Sequence, residues 1–222
     1  MAKRSLIILL FLVAFTLAWK YEIHESSVEA AYYSMPVSLK EKLSLESMKL
    51  GSIAPDAKFK DFRNHKYPYS LNKSSYYLGL AKDSYLKGDF KNASYFFGVA
   101  AHYILDSFDA PHYVTKEPYS MHSKFESVSF DSETMCYDYG NVSLDYRSEG
   151  KKDWDEWLAT RNSSIQKKEL NKAMEAVYSS AIKAFDYSCS SGRTSFIENR
   201  GSGYLIAFLA ILAAMIFVFR FF

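Results

Sequence analysis

The stretch Gly98–Glu126, which reads GVAAHYILDSFDAPHYVTKEPYSMHSKFE, holds three of the five histidines in this chain. His102 and Asp106 lie four residues apart, so on a helix they share one face. His122 and Glu126 repeat that spacing further along the stretch. The spacing therefore predicts two imidazole–carboxylate pairs, each carried on one face of a helix.

A third histidine, His112, stands between the two pairs, directly after Pro111, where the first helix is predicted to end. Borderline metals such as zinc take nitrogen and oxygen ligands of this kind. One such pair is weak evidence, because a histidine near an apolar helix face is more often a packed core residue than a ligand. Two pairs with a histidine between them predict a metal centre.

The two ends of the chain predict export and a membrane anchor. Residues 1–18 open with basic residues, continue as an apolar run and close on Ala18, which is typical of a cleavable signal peptide. Residues 204–219 are unbroken apolar sequence, close to the ~20 residues that cross a bilayer. The alternative is a buried core helix. We predict a single-pass cell-surface protein with a signal peptide at 1–18, an exported domain at 19–200 and a transmembrane anchor at 201–222.

The exported domain is predicted to be a single globular unit that is nearly neutral in charge. The chain has 222 residues, is 49% hydrophobic and carries a net charge of +2. No basic block of the kind that follows a nucleic-acid backbone is present in the sequence. This composition argues weakly against a nuclease.

Cysteines and sequons fit an exported domain. Cys136 and Cys189 permit a disulfide, although two free buried thiols are the alternative. Four asparagines lie in Asn-x-Ser sequons and predict a glycoprotein, if the host glycosylates: Asn72, Asn92, Asn141 and Asn162.

Apolar periodicity and capping residues predict an all-α domain. The predicted helices cover 22–34, Ser38 to about Leu50 with Gly51 ending it, 74–87, Asp89 to about Phe108, a short helix from Tyr119, Trp154 to about Leu158, and 164–187. Residues 52–73 and 129–149 are predicted loops. The sequence has no internal repeat, no Gly-rich phosphate loop and no Ser/His/Asp arrangement.

His24, in WKYEIHES, and His65, in DFRNHKYP, complete the five histidines. With them in view, the chain resembles the zinc-dependent phospholipase C family and, less closely, the single-strand-specific zinc nucleases of fungi and plants. Both are all-helical enzymes with three zinc ions. The resemblance runs from about Trp19 to Glu126 and is densest in YYLGLAKDSYLKGDFKNASYFFGVAAHYILDSFDAPH and MHSKFE. All five histidines fall on family ligand positions.

The resemblance implies three sets of zinc ligands. The first is Asp56, His65, His102 and Asp106; the second is His112, His122 and Glu126. The third is His24, a second oxygen of Asp106, and the amine and carbonyl of a mature N-terminal Trp19. Asp56 is also interpreted as the catalytic group that orients or deprotonates the attacking water. Asp109 matches no family ligand and is interpreted as structural.

The implied activity is phosphodiester hydrolysis by a zinc-activated water, of the phospholipase C type. Glu126 closes a His-Ser-Lys-aromatic-Glu pattern found in the phospholipases, where the nucleases carry Asp. Phe62 and Glu22 match residues that hold a choline head group in the family. Ala57 departs from the family, which has Tyr there, and the short spacing from Trp19 to His24 resembles the nucleases.

The expected partners are a phospholipid substrate and the membrane that holds the anchor. Nucleic acid is expected only under the nuclease alternative, and no protein partner is indicated. A non-catalytic metal-binding surface protein is a further alternative, which is disfavoured because no family ligand is missing from the sequence.

Overall fold

The computed structural model describes residues 21–127 and 147–188, and every regular element in these two ranges is helical. The prediction of an all-α domain is therefore confirmed for the part of the chain described. The helices are α1 (21–34), α2 (Val37–Lys40), α3 (Leu45–Ala54), α4 (Tyr69–Leu86), α5 (Phe90–Asp106), α6 (Tyr119–Phe125), α7 (Arg147–Thr160) and α8 (Ser163–Phe185). A π-helical turn, Pro55–Phe59, continues α3, and a 3₁₀ helix, Ala110–Tyr113, follows α5.

Helix α5 is the buried axis of this fold and packs against α3, α4 and α8. It begins at Phe90 and is capped by Asp89, as predicted. The Asp89 side chain accepts a hydrogen bond from the Asn92 backbone N–H. Phe97 and Ile104 are fully buried in the main hydrophobic cluster, which also takes in residues of α1 and α8. Burial of α5 carries the side chains of its last turns into the interior of the protein.

Two glycines allow α3 and α5 to cross at very short distance. A Cβ added to Gly51 or to Gly98 would lie 2.1 Å from a backbone carbonyl oxygen of the opposite helix. No side chain fits at either position, so the crossing requires glycine on both helices. The close approach brings the carbonyl oxygen of Ser52 to 2.7 Å from Nδ1 of His102.

The predicted single helix from Ser38 to Leu50 is wrong. The chain instead forms the short α2, turns, and starts α3 at a new N-cap, Ser44, whose hydroxyl accepts from the Ser47 N–H at 3.2 Å. Gly51 does not end the helix, because it is required at the crossing with α5. The π-helical turn after α3 also replaces the start of the loop predicted at 52–73.

The second half of the domain has its own hydrophobic cluster. Trp154 and Trp157 of α7 pack there with Phe125 of α6 and Ile165 of α8. Both tryptophans are buried in this cluster. Helix α7 is longer than the short helix predicted from Trp154 to about Leu158, because it begins at Arg147.

Several predictions concern residues outside the described ranges. The signal peptide, Trp19, the Cys136–Cys189 bridge and the membrane anchor all belong to this group. Among residues 21–127 and 147–188, no helix combines the length and the apolar character that a membrane crossing requires.

Candidate metal centre

Asp106, the last residue of α5, lies among four imidazole rings. Its Oδ2 atom is 3.2 Å from Nε2 of His102 and 3.3 Å from Nδ1 of His65. Its Oδ1 atom is 3.8 Å from Nε2 of His24 and 3.8 Å from Nδ1 of His112. The two oxygens of one buried carboxylate therefore face different pairs of histidines.

The α3–α5 crossing fixes the orientation of the His102 ring. Nδ1 of His102 donates to the Ser52 carbonyl oxygen, so Nε2 is the nitrogen that faces Asp106. Metal-binding histidines commonly donate their other ring nitrogen to a carbonyl in this way. His112 is held similarly, because its Nδ1 lies 3.2 Å from the Asp106 carbonyl oxygen.

Asp56 and His65 reach the same centre from the segment between α3 and α4. Oδ1 of Asp56 lies 3.5 Å from Nε2 of His65, and the Asp56 side chain is buried. His24, on α1, stacks its ring on that of His102 with centroids 3.9 Å apart. Two separate segments of the chain thus converge on the last turns of α5.

A second set of side chains adjoins the first through His112. The rings of His112 and His122 lie 4.9 Å apart, and Nε2 of His122 is 2.7 Å from Oε1 of Glu126. Asp109 also belongs here, with Oδ2 3.5 Å from Nδ1 of His112 and 3.7 Å from Nε2 of His122. Asp109, which the sequence analysis interprets as structural, therefore lies next to the candidate ligands His112 and His122.

The structure brings together all of the predicted ligands that it describes. They form three adjoining groups whose ligand atoms lie within 4.8 Å of one another: His24, Asp56 and His102; His65, Asp106 and His112; and Asp109, His112, His122 and Glu126. These groups differ from the ligand sets that the resemblance implies. Asp56 groups with His24 and His102, and Asp109 joins the group of His112, His122 and Glu126. Trp19 lies outside the described residues.

Burial keeps two of these imidazoles neutral. It lowers the pKa of His24 to about 3, helped by the neighbouring His102 ring. Burial also lowers the pKa of His112 to about 4. Both rings are therefore unprotonated at neutral pH, which is the state that binds a metal.

The pKa values of two carboxylates in the centre, Asp106 and Asp109, shift in opposite directions. Burial alone would raise the pKa of Asp106, but His102, His65 and His112 hold it well below its usual range. Burial raises the pKa of Asp109 well above its usual range, and the nearby Glu126 carboxylate adds to this effect. When Asp109 and Glu126 are both ionised, two negative charges lie close together in this part of the centre.

A carboxylate that the sequence did not reveal supports His122 from outside the centre. Oε1 of Glu117 is 3.4 Å from Nδ1 of His122, while Nζ of Lys66 binds Glu117 at 3.0 Å and the Val114 carbonyl oxygen at 3.1 Å. A carboxylate on the far nitrogen of a histidine fixes ring orientation and raises basicity at the ligating nitrogen. Glu117 lies in a loop, where no periodicity could have indicated its role.

Glu169 of α8 is a further buried acid beside the centre. Its Oε2 atom accepts from the Ala110 N–H at 3.1 Å, and burial raises its pKa to about 9. It lines a pocket together with residues of the centre and with apolar side chains: His24, Asp106, Glu126, Leu105 and Phe108. A signal existed in the sequence, because Glu169 lies at helical spacing between the buried Ile165 and Ala173.

The two residues matched to a choline site lie at the edge of the centre. Phe62 is 61% exposed, and its ring centroid is 6.2 Å from that of His65. Glu22 is partly exposed on α1, two residues before His24. Phe62 is therefore both accessible to a ligand and adjacent to a candidate metal-binding side chain.

The donor atoms fit zinc. Several buried atoms of the centre have no hydrogen-bond partner: Nδ1 of His24, Nε2 of His65, Nε2 of His102, Oδ2 of Asp106 and Oδ2 of Asp109. Each buried polar atom left unpaired costs about 1–3 kcal/mol. Cations at this place would pair with several of them, and a set of imidazole nitrogens and carboxylate oxygens is the chemistry that zinc prefers.

Comparison with known proteins agrees with this geometry. A family model described as zinc dependent phospholipase C matches residues 23–187, which include every described ligand of the centre. No curated protein and no solved structure matches the chain. The chain belongs to the zinc-dependent phospholipase C family.

Proposed function

We propose that this chain is a tri-zinc phosphodiester hydrolase that cleaves the head-group phosphodiester of phospholipids. The main support for the proposal is the convergence of five histidines and three family-matched acids, Asp56, Asp106 and Glu126, in three adjoining groups. A site built only for packing would not leave so many buried donor and acceptor atoms unpaired.

The residues that would hold the zinc ions are those matched to the family sets. The proposed ligands are His24, Asp56, His65, His102, Asp106, His112, His122 and Glu126, with Trp19 completing one set after signal cleavage. When bound, zinc polarises phosphoryl oxygens, stabilises a leaving alkoxide and lowers the pKa of bound water to roughly 7. The neutral rings of His24 and His112 need no deprotonation before binding.

Asp56 is the proposed catalytic acceptor of a proton from the attacking water. Its carboxylate is 6% exposed and lies within the group formed with His24 and His102. A carboxylate held by its surroundings at this position can orient a water molecule by hydrogen bonding and take its proton.

Three observations favour a lipid substrate. Glu126 stands where the phospholipases carry Glu, and the exposed ring of Phe62 can receive a quaternary ammonium by cation–π attraction. The pocket beside the centre combines its acids with apolar side chains, including Leu105 and Phe108. A site that accepts a phosphodiester next to aliphatic chains needs this combination of polar and apolar walls.

The proposed location is the cell surface, with the domain exported and held by residues 201–222. Three of the sequon asparagines, Asn72, Asn92 and Asn162, are exposed in the described ranges, as acceptors of glycans must be. Export would also permit the proposed Cys136–Cys189 disulfide.

The deciding experiment measures hydrolysis of several substrates by the full-length chain in mixed micelles, with and without a zinc chelator. We expect chelator-sensitive release of phosphocholine from phosphatidylcholine. The short spacing from Trp19 to His24 favours the nuclease as the second candidate, so single-stranded DNA is the competing substrate. Cleavage of DNA alone would support the nuclease, and zinc binding without any turnover would support a non-catalytic surface protein.

A further inference from the structure

We propose that Asp109 is a fourth protein ligand at the zinc site of His112, His122 and Glu126. No family ligand corresponds to this residue, so the site would differ from the three-residue set that the resemblance implies. The inference rests on the proposed zinc centre and adds one carboxylate to it.

The local backbone offers Asp109 no other role. It occupies the N-cap position of the 3₁₀ helix, yet its side chain accepts no hydrogen bond from that helix. Its backbone is already held in a turn, because its N–H donates to the Asp106 carbonyl oxygen and its own carbonyl accepts from the His112 N–H. The carboxylate is therefore not used for capping, which is the usual structural role of an aspartate at this position.

The distance between Asp109 and His122 is too long for a direct hydrogen bond and close to that between two ligands of one cation. Oδ2 of Asp109 is 3.7 Å from Nε2 of His122, beyond the ~2.7–3.2 Å of an N–H···O hydrogen bond. Two ligands held about 2.0–2.2 Å from one zinc ion in tetrahedral geometry lie roughly 3.3–3.6 Å from each other. Because Nδ1 of His122 faces Glu117, its Nε2 atom is the one that faces Asp109.

The charges point to the same conclusion independently. Asp109 and Glu126 contribute oxygens that lie within 4.8 Å of each other, in a group whose other two members are histidines. Oδ2 of Asp109 is buried and has no hydrogen-bond partner. Two carboxylates so close together repel in a poorly solvated site, and a dication between them removes the repulsion.

A fourth protein ligand would change the character of this site. Zinc sites with three protein ligands keep an open position for water or substrate, whereas sites with four are closed and hold the metal firmly. We infer that zinc at the Asp109 site is held more firmly than a site of His112, His122 and Glu126 alone would hold it.

The test is Asp109→Asn in the full-length chain, with zinc per chain and zinc affinity measured by competition with a chromogenic chelator. The substitution keeps the shape and removes the charge. We expect one zinc ion to be held at least about tenfold more weakly, in line with the effect of removing groups that support a metal site. The matched control is Glu169→Gln, which changes a buried acid of the same pocket that is protonated at neutral pH and belongs to none of the three groups.

Thermal unfolding separates a ligand from a structural residue. In the metal-free protein, Asp109→Asn should be at least as stable as the wild type, because it removes a buried acid whose charged form is disfavoured by burial and by Glu126. In the zinc-loaded protein it should be less stable. An equal loss of stability in both forms would overturn the proposal, as would wild-type zinc affinity in the variant. A wild-type chain without bound zinc would instead overturn the zinc centre itself, and this inference with it.

Discussion

Replacing Asp106 with asparagine tests the proposed centre at the residue on which it depends most. The wild-type carboxylate faces His65 and His102 with one oxygen, and His24 and His112 with the other. Asparagine keeps one oxygen but presents an amide N–H₂ in place of the other, and it carries no charge to offset nearby dications. Ligation should therefore fail on at least one side of the residue.

The expected size of the effect follows from this position. Two of the three proposed zinc ions should be bound more weakly, so zinc content should fall from three per chain toward about one. Removing one oxyanion-stabilising donor commonly costs 10²–10³ in rate, and loss of a metal ligand should cost at least as much. We expect hydrolysis to fall by at least roughly 10³-fold, which is about 4 kcal/mol of transition-state stabilisation.

The assay pairs zinc analysis with turnover, and Asp153→Asn is the control. Asp153 is also a buried aspartate, but it pairs with Lys168 at 2.7 Å and lies outside all three groups. The control should lose stability while keeping its zinc. Far-ultraviolet circular dichroism should show that the Asp106 variant remains helical, because the core around α5 is apolar. An active Asp106→Asn protein with its full zinc content would contradict the proposed role of Asp106 as a ligand of two zinc ions.

Three further changes test the surroundings of the centre. Gly98→Ala should destabilise the domain by about 2–3 kcal/mol or more in chemical denaturation, because its Cβ has no room at the α3–α5 crossing. Gly79→Ala is the control, since nothing lies within 4 Å of its added Cβ, and an equal loss there would contradict the account. Glu117→Gln should weaken zinc binding about 10–100-fold by releasing His122, and unchanged chelator competition would count against that role. Phe62→Ala should raise KM for phosphatidylcholine about two- to fivefold, as the loss of ~0.5–1 kcal/mol of cation–π attraction predicts, with zinc content unchanged. An equal effect on a lipid without a cationic head group would argue against cation–π recognition.

The parts of the centre that lie on regular helices could be predicted from the sequence. Residues four apart on a helix share one face. His102 and Asp106 therefore share a face of α5, and His122 of α6 lies on the same side as Glu126, the C-cap of that helix. The resemblance to a known family added His24, Asp56 and His65, which are brought in by loops and by a different helix. Helical periodicity alone gives no reason to place these three together.

The position of the Asp109 side chain could not be predicted from helical spacing. Asp109 lies beyond the end of α5, so the direction of its side chain depends on the turn into the 3₁₀ helix and not on helical spacing. Gly51 shows the same limit in the fold, since the residue that usually ends a helix is here required inside one. The turn directs the side chain of Asp109, and the distant helix α5 requires glycine at position 51, so helical periodicity predicts neither.

The orientation of His102 links the α3–α5 crossing to the metal centre. Its ring is fully buried, and its Nδ1 atom donates to a carbonyl oxygen on α3 that only the glycine crossing brings within reach. The two glycines therefore act on the chemistry as well as on the packing, because they determine which nitrogen of His102 can bind a metal. Gly98→Ala should accordingly weaken zinc binding in the molecules that remain folded, and not only lower their stability. Zinc titration of the folded variant at low temperature measures this directly, and wild-type affinity there would separate the crossing from the metal centre.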